Sequence, residues 1–166
     1  MTSPYRVCFV CTGNICRSPV AESVFRARLT EAGLDTLVEV DSAGTGGWHE
    51  GDGADPRAAA VLEAHGYDSA HTARQFQASW FAHLDLVVAL DTGHLRDLRR
   101  LAPTPEDAAK VQLLRSYDPA VPSTGDLDVP DPYYGDLAGF EECLEMVEAA
   151  SEGLLTTVRT AIEEAA

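Results

Sequence analysis

Residues 7–18, read VCFVCTGNICRS, constrain this chain more than any other stretch, because they join a short apolar run to a glycine-bearing loop and then to an arginine. Residues 7–10 are apolar with valine at both ends, the pattern of a central strand covered on both faces. Cys11 stands where that strand ends. Between Cys11 and Arg17 lie Thr12, Gly13, Asn14, Ile15 and Cys16, of which Gly13 and Asn14 are the types that most readily take positive φ. Such a loop can curl its successive N–H groups inward as an anion nest. Ser18-Pro19 then reads as a helix start, Ser as the cap and Pro at the first helical position, with Val20, Val24, Phe25 and Leu29 recurring at helical spacing.

A loop at a helix N-terminus favours a phosphate or sulfate dianion, through the dipole and the free N–H groups of residues 12–17. Arg17 adds a planar fork that grips two oxygens at once. Cys11 in that electropositive cradle is stabilised as thiolate over thiol, and a thiolate facing a phosphate is a nucleophile aimed at phosphorus. The competing reading makes Cys11 one more small buried apolar residue. A strand before it, Gly and Asn in the loop, Ser after the arginine and a helix beyond favour the chemical reading.

With 166 residues, 45% of them hydrophobic, the expectation is one domain over residues 1–166 with a substantial core. The formal charge of −15 argues against a nucleic-acid partner, since the whole-chain field repels a polyanion, yet it leaves room for a small cationic pocket at Arg17. No apolar run approaches the roughly 18–20 residues of a membrane span, and the N-terminus lacks a signal-peptide pattern. The expectation is a cytoplasmic, monomeric protein without a membrane partner. Cys8, Cys11 and Cys16 cluster, with Cys143 far away, which suits reduced thiols rather than a secreted disulfide framework.

In chain order, a helix over residues 18–30 stops near Gly33, and residues 38–40 form a second strand ending in Asp41-Ser42-Ala43-Gly44. That spacing suggests a βαβ unit in a parallel sheet, with the site at the carboxyl ends of the strands. The glycine-rich stretch 45–54 reads as a flexible loop; its GTGGWHEG lacks dinucleotide-fingerprint spacing. Trp48 there either walls a pocket for an aromatic ring or anchors the loop. Asp55-Pro56 opens a helix that stops at Gly66. His71 and Arg74 follow, and a lone histidine in such a segment is more often structural than catalytic. Further expectations are a helical turn at 79–83, a strand at 84–90, a helix capped by Asp91-Thr92 with Leu95, Leu98 and Leu101 on one face, a strand at 111–114, and a last helix over 137–162. This predicts an α/β sandwich of four parallel strands with helices on both faces.

Cleaving a phosphate monoester also needs an acid for the leaving oxygen, worth roughly 10²–10⁴-fold. In the long irregular segment 117–134 Asp131 is bracketed by Pro130 and Pro132, which hold it in a stiff non-helical conformation. Asp126 and Asp128 compete by residue type alone. Their spacing does not fit a calcium loop, no H-E-x-x-H occurs, and Cys11 and Cys16 lack partners at zinc spacing, so no metal or cofactor is expected.

These motifs, CTGNICRS at 11–18, DSAGT at 41–45, Asp55-Pro56-Arg57, AHTARQ at 70–75, Leu90-Asp91, SYDP at 116–119 and DPYYG at 131–135, resemble those of the low-molecular-weight protein tyrosine phosphatases, in order and over nearly the whole chain. The use of Ala, Arg and Asp resembles that of an actinobacterial protein. The resemblance implies a flavodoxin-like sheet of order 2-1-3-4 and hydrolysis of protein phosphotyrosine through a phosphocysteine on Cys11. It selects Asp131 as general acid and gives Ser18 a hydrogen bond to the Cys11 sulfur. Asn14 and Ser42 brace the loop, His71 supports it, and Trp48, Tyr133 and Tyr134 line the pocket, the two tyrosines as possible phosphorylation sites. Thr12 departs from a position often bulky and apolar, and His49 beside Trp48 is a second departure. A reversible Cys11–Cys16 disulfide is a further expectation. The alternatives are an arsenate reductase of similar fold, which needs more redox cysteines, and a phosphotyrosine-binding module lacking the nucleophile or acid.

Overall fold

The computed structural model describes residues 3–122 and 124–165; residues 1, 2, 123 and 166, which the expected domain over 1–166 includes, lie outside them. Four strands, β1 (Tyr5–Cys11), β2 (Val38–Gly44), β3 (Leu86–Ala89) and β4 (Val111–Leu113), form one parallel sheet of order β2-β1-β3-β4. The helices are α1 (Arg17–Glu31), α2 (Pro56–Ala64), α3 (Thr92–Leu101), α4 (Pro105–Ala109) and α5 (Leu137–Ala165). No helix among the described residues is long and apolar enough to cross a membrane.

The two-residue alternation of β1 divides the core. Val7, Phe9 and Cys11 join one apolar cluster with the inner faces of α1, α2 and α5. Cys8 and Val10 face the other way, into a cluster with Phe81 and with Leu98 of α3. A strand buried on both faces carries no polar side chain in its middle, which is why 7–10 reads as a continuous apolar run. Val20, Val24, Phe25 and Leu29 of α1 and Phe140, Leu144, Val147, Leu154 and Val158 of α5 are all buried, as their spacing predicts, while Ile162 is only partly so.

Several boundaries differ from expectation, each for a tertiary reason. β2 runs on through Asp41-Ser42-Ala43-Gly44, because each pairs in register with β1, Cys8 with Asp41 to Cys11 with Gly44. α1 begins at Arg17; Cys16 is its N-cap, no side chain caps it, and Ser18 lies inside the first turn rather than at the cap. Its far end closes as predicted at Gly33, with φ 71° and the two hydrogen bonds of a Schellman turn, Gly33 to Thr30 and Leu34 to Leu29. β3 is shorter than 84–90: the Leu84 N–H bonds back to Trp80, and the Leu90 carbonyl leaves the ladder to accept from Val129. Leu114 leaves β4 for a 3₁₀ turn, Leu114–Tyr117. On α3 Leu98 is buried but Leu101 is largely exposed. The short α4, capped by the Thr104 hydroxyl on Asp107 N–H, was not anticipated.

Order β2-β1-β3-β4 sends the chain from β1 to one side and later to the other, so the segments after β1 and β3 diverge at their carboxyl ends. In open α/β sheets ligands bind in that crevice. Cys11 ends β1, and Asp91 follows β3 by two residues.

Candidate active site

The loop after Cys11 turns at Asn14, whose φ of 58° is the one positive non-glycine value among the described residues. An asparagine tolerates that conformation when its amide and backbone are held. Its Nδ2 donates to the Ser18 hydroxyl at 2.8 Å and to the Ser42 hydroxyl at 3.0 Å. Its Oδ1 accepts from Arg74 N–H at 3.0 Å, and its carbonyl accepts from His71 Nε2 at 2.6 Å. Ser42 passes its own hydrogen to Glu22 at 2.6 Å. Asn14, Ser18 and Ser42 therefore stand behind the loop, with His71 beside them.

Ser18 Oγ lies 2.9 Å from Cys11 Sγ. That oxygen accepts from Asn14, and its own hydrogen has two acceptors among the described residues, the sulfur and the Ala43 carbonyl at 3.4 Å. The serine hydroxyl is thus placed to donate to the Cys11 sulfur. Among the described residues none accepts a hydrogen bond from the N–H groups of Gly13, Asn14, Ile15 or Cys16. Those donors, at the uncapped start of α1, are available to an anion.

β2 closes against the back of this loop with no room to spare. A Cβ on Gly44 would lie 2.6 Å from the Thr12 carbonyl and 3.1 Å from Asn14 N. Gly44→Ala is expected to displace the loop, lower kcat/KM by about 10²-fold and destabilise the fold by roughly 1–3 kcal/mol. Steady-state kinetics beside a urea titration check both.

Arg17 is 3% exposed and is held mainly by one nitrogen. Its Nη1 donates to Asp91 Oδ2 at 2.8 Å and to the Val129 carbonyl at 2.9 Å. Its Nη2 has only longer neighbours, Thr12 Oγ1 at 3.4 Å, His94 Nε2 at 3.5 Å and Asp131 Oδ2 at 3.7 Å. Burial works against its charge, but Cys11, Asp91 and Asp131 outweigh it and raise its pKa above the ordinary arginine value.

Asp131 is extended, with φ −76° and ψ 113°, and caps a 3₁₀ turn, Pro132–Tyr134. Its Oδ1 accepts from Tyr133 N–H at 3.1 Å, which leaves Oδ2 on the Arg17 side. The rival acids are engaged elsewhere: Asp128 accepts from Thr92 N–H at 2.7 Å, and Asp126 from Asp128 N–H at 3.0 Å. Arg57 steadies the turn, donating to the Tyr133 and Gly135 carbonyls at 2.9 Å while its guanidinium is paired with Asp55. Asp55 N–H in turn bonds the Ile15 carbonyl at 2.8 Å, so one Asp-Pro-Arg unit ties the cysteine loop to the aspartate loop. In the sequence Asp55-Pro56 reads as a helix start and, with Arg57, as a motif of the resembled family, with no sign of this tie.

Cys11, Thr12, Gly13, Ile15, Cys16 and Arg17 form one side of a cavity of about 370 Å³, and Asp131, Tyr133, Tyr134, Trp48 and His49 the other. Trp48 and Tyr134 are 76% and 89% exposed, so the aromatic rim is open to a large partner. Tyr133 and Tyr134 meet edge to face, with ring centroids 5.0 Å apart. Cys16 lines the cavity as a free thiol, and burial followed by the Asp55 charge pushes its pKa up.

The neighbours of Arg17 on α3 were missed by sequence reasoning. Asp91 caps α3 through Oδ1 on His94 N–H at 2.9 Å, so the third residue of the helix is held over the strand ends. Burial, followed by the Arg17 charge, pushes the pKa of His94 down from 6.5 to about 4. Between those values the unfolded chain binds the proton and the folded chain does not, so stability rises with pH across the window and falls as pH drops from about 6.5 to about 4. Urea midpoints of the wild type are expected to fall more steeply across that window than those of His94→Gln.

The low molecular weight phosphotyrosine protein phosphatase family model matches residues 6–164. The chain is 77% identical over 159 residues to a low molecular weight protein-tyrosine-phosphatase of Streptomyces coelicolor, covering 96% of each. It is 53% identical over 154 residues to low molecular weight protein-tyrosine phosphatase A of Mycobacterium tuberculosis, covering 93% of this chain and 91% of the relative. These relatives support an actinobacterial origin. A crystal structure of a protein tyrosine phosphatase from Entamoeba histolytica superposes with a TM-score of 0.88 at 32% identity, covering 95% of this chain and 98% of that one. The chain belongs to the low molecular weight protein-tyrosine-phosphatase family.

Proposed function

We propose that Cys11, Arg17 and Asp131 carry the hydrolysis of protein phosphotyrosine in this chain, as a single phosphatase domain over residues 1–166. The observation that supports this most is the meeting of the three side chains in one cavity, with the Ser18 hydroxyl 2.9 Å from the Cys11 sulfur. Cys11 Sγ attacks phosphorus and the bond from phosphorus to the phenolic oxygen breaks. Asp131 gives its proton to that oxygen as it leaves. Water then attacks the phosphocysteine and passes a proton to the Asp131 carboxylate. The sulfur–phosphorus bond breaks, inorganic phosphate departs, and the Ser18 hydroxyl receives the returning thiolate.

The loop N–H groups and Arg17 hold the non-bridging oxygens, with their gain greatest as charge redistributes in the transition state. Trp48, Tyr133 and Tyr134 on the rim suit a flat phenyl ring better than the shorter serine phosphate. A thiol cascade of the arsenate-reductase kind gains no support from Cys143, which is buried in α5 with its pKa pushed up to about 12 by burial. The free cysteines suit the cytoplasm, and the charge of −15 suits a monomer without a nucleic-acid partner. Metal chemistry has no place in these steps. Hydrolysis of 4-nitrophenyl phosphate and of phosphotyrosine peptides in EDTA, with phosphoserine and phosphothreonine peptides untouched, is the expected result. Absence of turnover by folded, reduced protein would overturn the reading.

A further inference from the structure

We propose that His94, acting through Thr12, is a positioning residue for the Nη2 end of Arg17; this rests on the phosphatase reading of the site. Arg17 is asymmetric in its support. Its Nη1 is clamped by Asp91 and Val129 at 2.8 and 2.9 Å, whereas every neighbour of Nη2 is at 3.4 Å or beyond. Two of those neighbours are themselves bonded, Thr12 Oγ1 and His94 Nε2 at 2.8 Å. A guanidinium only donates, so an Nε2 facing it has to carry a lone pair, and the imidazole proton belongs to Nδ1. Nδ1 is buried, lies 3.2 Å from Asp91 Oδ1 and makes no hydrogen bond of good geometry. With Nε2 as acceptor, the Thr12 hydroxyl donates to it and turns its own lone pairs to Nη2.

The consequence is a directed but loose hold. Thr12, its hydroxyl hydrogen fixed on His94, turns an oxygen lone pair to Nη2 at 3.4 Å and so directs it without competing strongly for its hydrogens. An incoming phosphoryl oxygen then meets a donor already aimed and still free to tighten, the condition under which binding gain is reserved for the transition state. The Asp91 carboxylate serves both parts, holding Nη1 through Oδ2 and the His94 backbone through Oδ1. Imidazole, threonine and guanidinium therefore share one frame built on the start of α3.

The test compares wild type, His94→Leu, His94→Gln, Thr12→Val and the double variant His94→Leu/Thr12→Val, each also in an Arg17→Lys background. The readouts are kcat and KM with 4-nitrophenyl phosphate, inhibition by inorganic phosphate, and thermal midpoints. Loss of one such hydrogen bond is expected to lower kcat about tenfold with KM little changed. Inhibition by inorganic phosphate, a ground-state ligand of the same loop, should change as little as KM. The double variant should lose no more than either single one, and His94→Gln, whose amide oxygen can accept, should recover part of the loss. In the Arg17→Lys background, where no fork remains, His94→Leu should cost nothing further. Wild-type kcat in both His94→Leu and Thr12→Val, additive losses, or an equal loss in the lysine background would each overturn the proposal. An inactive wild type would instead refute the phosphatase reading, and the proposal with it.

Discussion

Cys11→Ser is expected to abolish turnover, lowering kcat by about 10⁴-fold or more, while leaving the affinity for inorganic phosphate close to that of the wild type. The argument is local. Cys11 is 2% exposed at the end of β1, and a serine there keeps the size and the hydrogen-bond partner, Ser18. What it loses is the sulfur nucleophile; a serine hydroxyl in its place is a far weaker one. The N–H groups of residues 13–16 and the Arg17 fork remain in place, so the anion site persists without its nucleophile. Initial rates and calorimetric titration with phosphate separate the two effects. A variant that loses phosphate binding along with activity would mean that the cysteine is structural.

The second large effect is at Asp131. Asp131→Asn is expected to lower kcat/KM, which reports the first step alone, by roughly 10²–10⁴-fold on phenyl phosphate, whose leaving oxygen needs a proton, and far less on 4-nitrophenyl phosphate, whose phenolate leaves unaided. The substitution preserves the side-chain oxygen that accepts from Tyr133 N–H at 3.1 Å, so the 3₁₀ turn and the aromatic rim stay as they are. With a side chain 39% exposed and Asp131 outside the core, the thermal midpoint should hold. Equal losses on both substrates would argue that the carboxylate orients the substrate rather than protonating the leaving group.

Much of the cysteine loop was legible because its signals are local. The apolar run 7–10, the Gly-Asn pair, the helical stripe from Val20 to Leu29 and the Asp55 and Asp91 caps are each written within a few residues. The four parallel strands followed from them, and their order came with the family resemblance. What could not be read locally was how the loop is held. Arg17 meets Asp91, His94 and Val129 at sequence separations of 74, 77 and 112 residues, and only the sheet order brings them together. In the sequence His94 is one polar residue on a helix rich in arginine and carries no motif of its own. The one available signal was its place three residues after an Asp cap, where the capping carboxylate fixes the N–H and turns the side chain over the strand ends.

Ser18 shows the same limit in reverse. By residue type it is a good helix cap, yet the helix starts a residue earlier with no side-chain cap, and the hydroxyl turns to Cys11 instead. An N-terminus whose N–H groups are reserved for an anion has no use for a capping oxygen. The polar DSAG of β2 reads as a strand end by residue type, yet pairing with β1 keeps those residues in the ladder, and Ser42 is then in place to accept from the Asn14 amide.

The account rests on a covalent intermediate, and trapping it is the most direct measurement. Asp131→Asn slows the water attack as well as the first step, so with 4-nitrophenyl phosphate, where the first step survives, the phosphoenzyme should accumulate. Acid quench within the first turnovers, followed by peptide mass analysis, should find one phosphoryl group on Cys11, and none in Cys11→Ser. A phosphoryl group on another residue, or nitrophenolate release with no phosphoenzyme at any quench time, would contradict the mechanism.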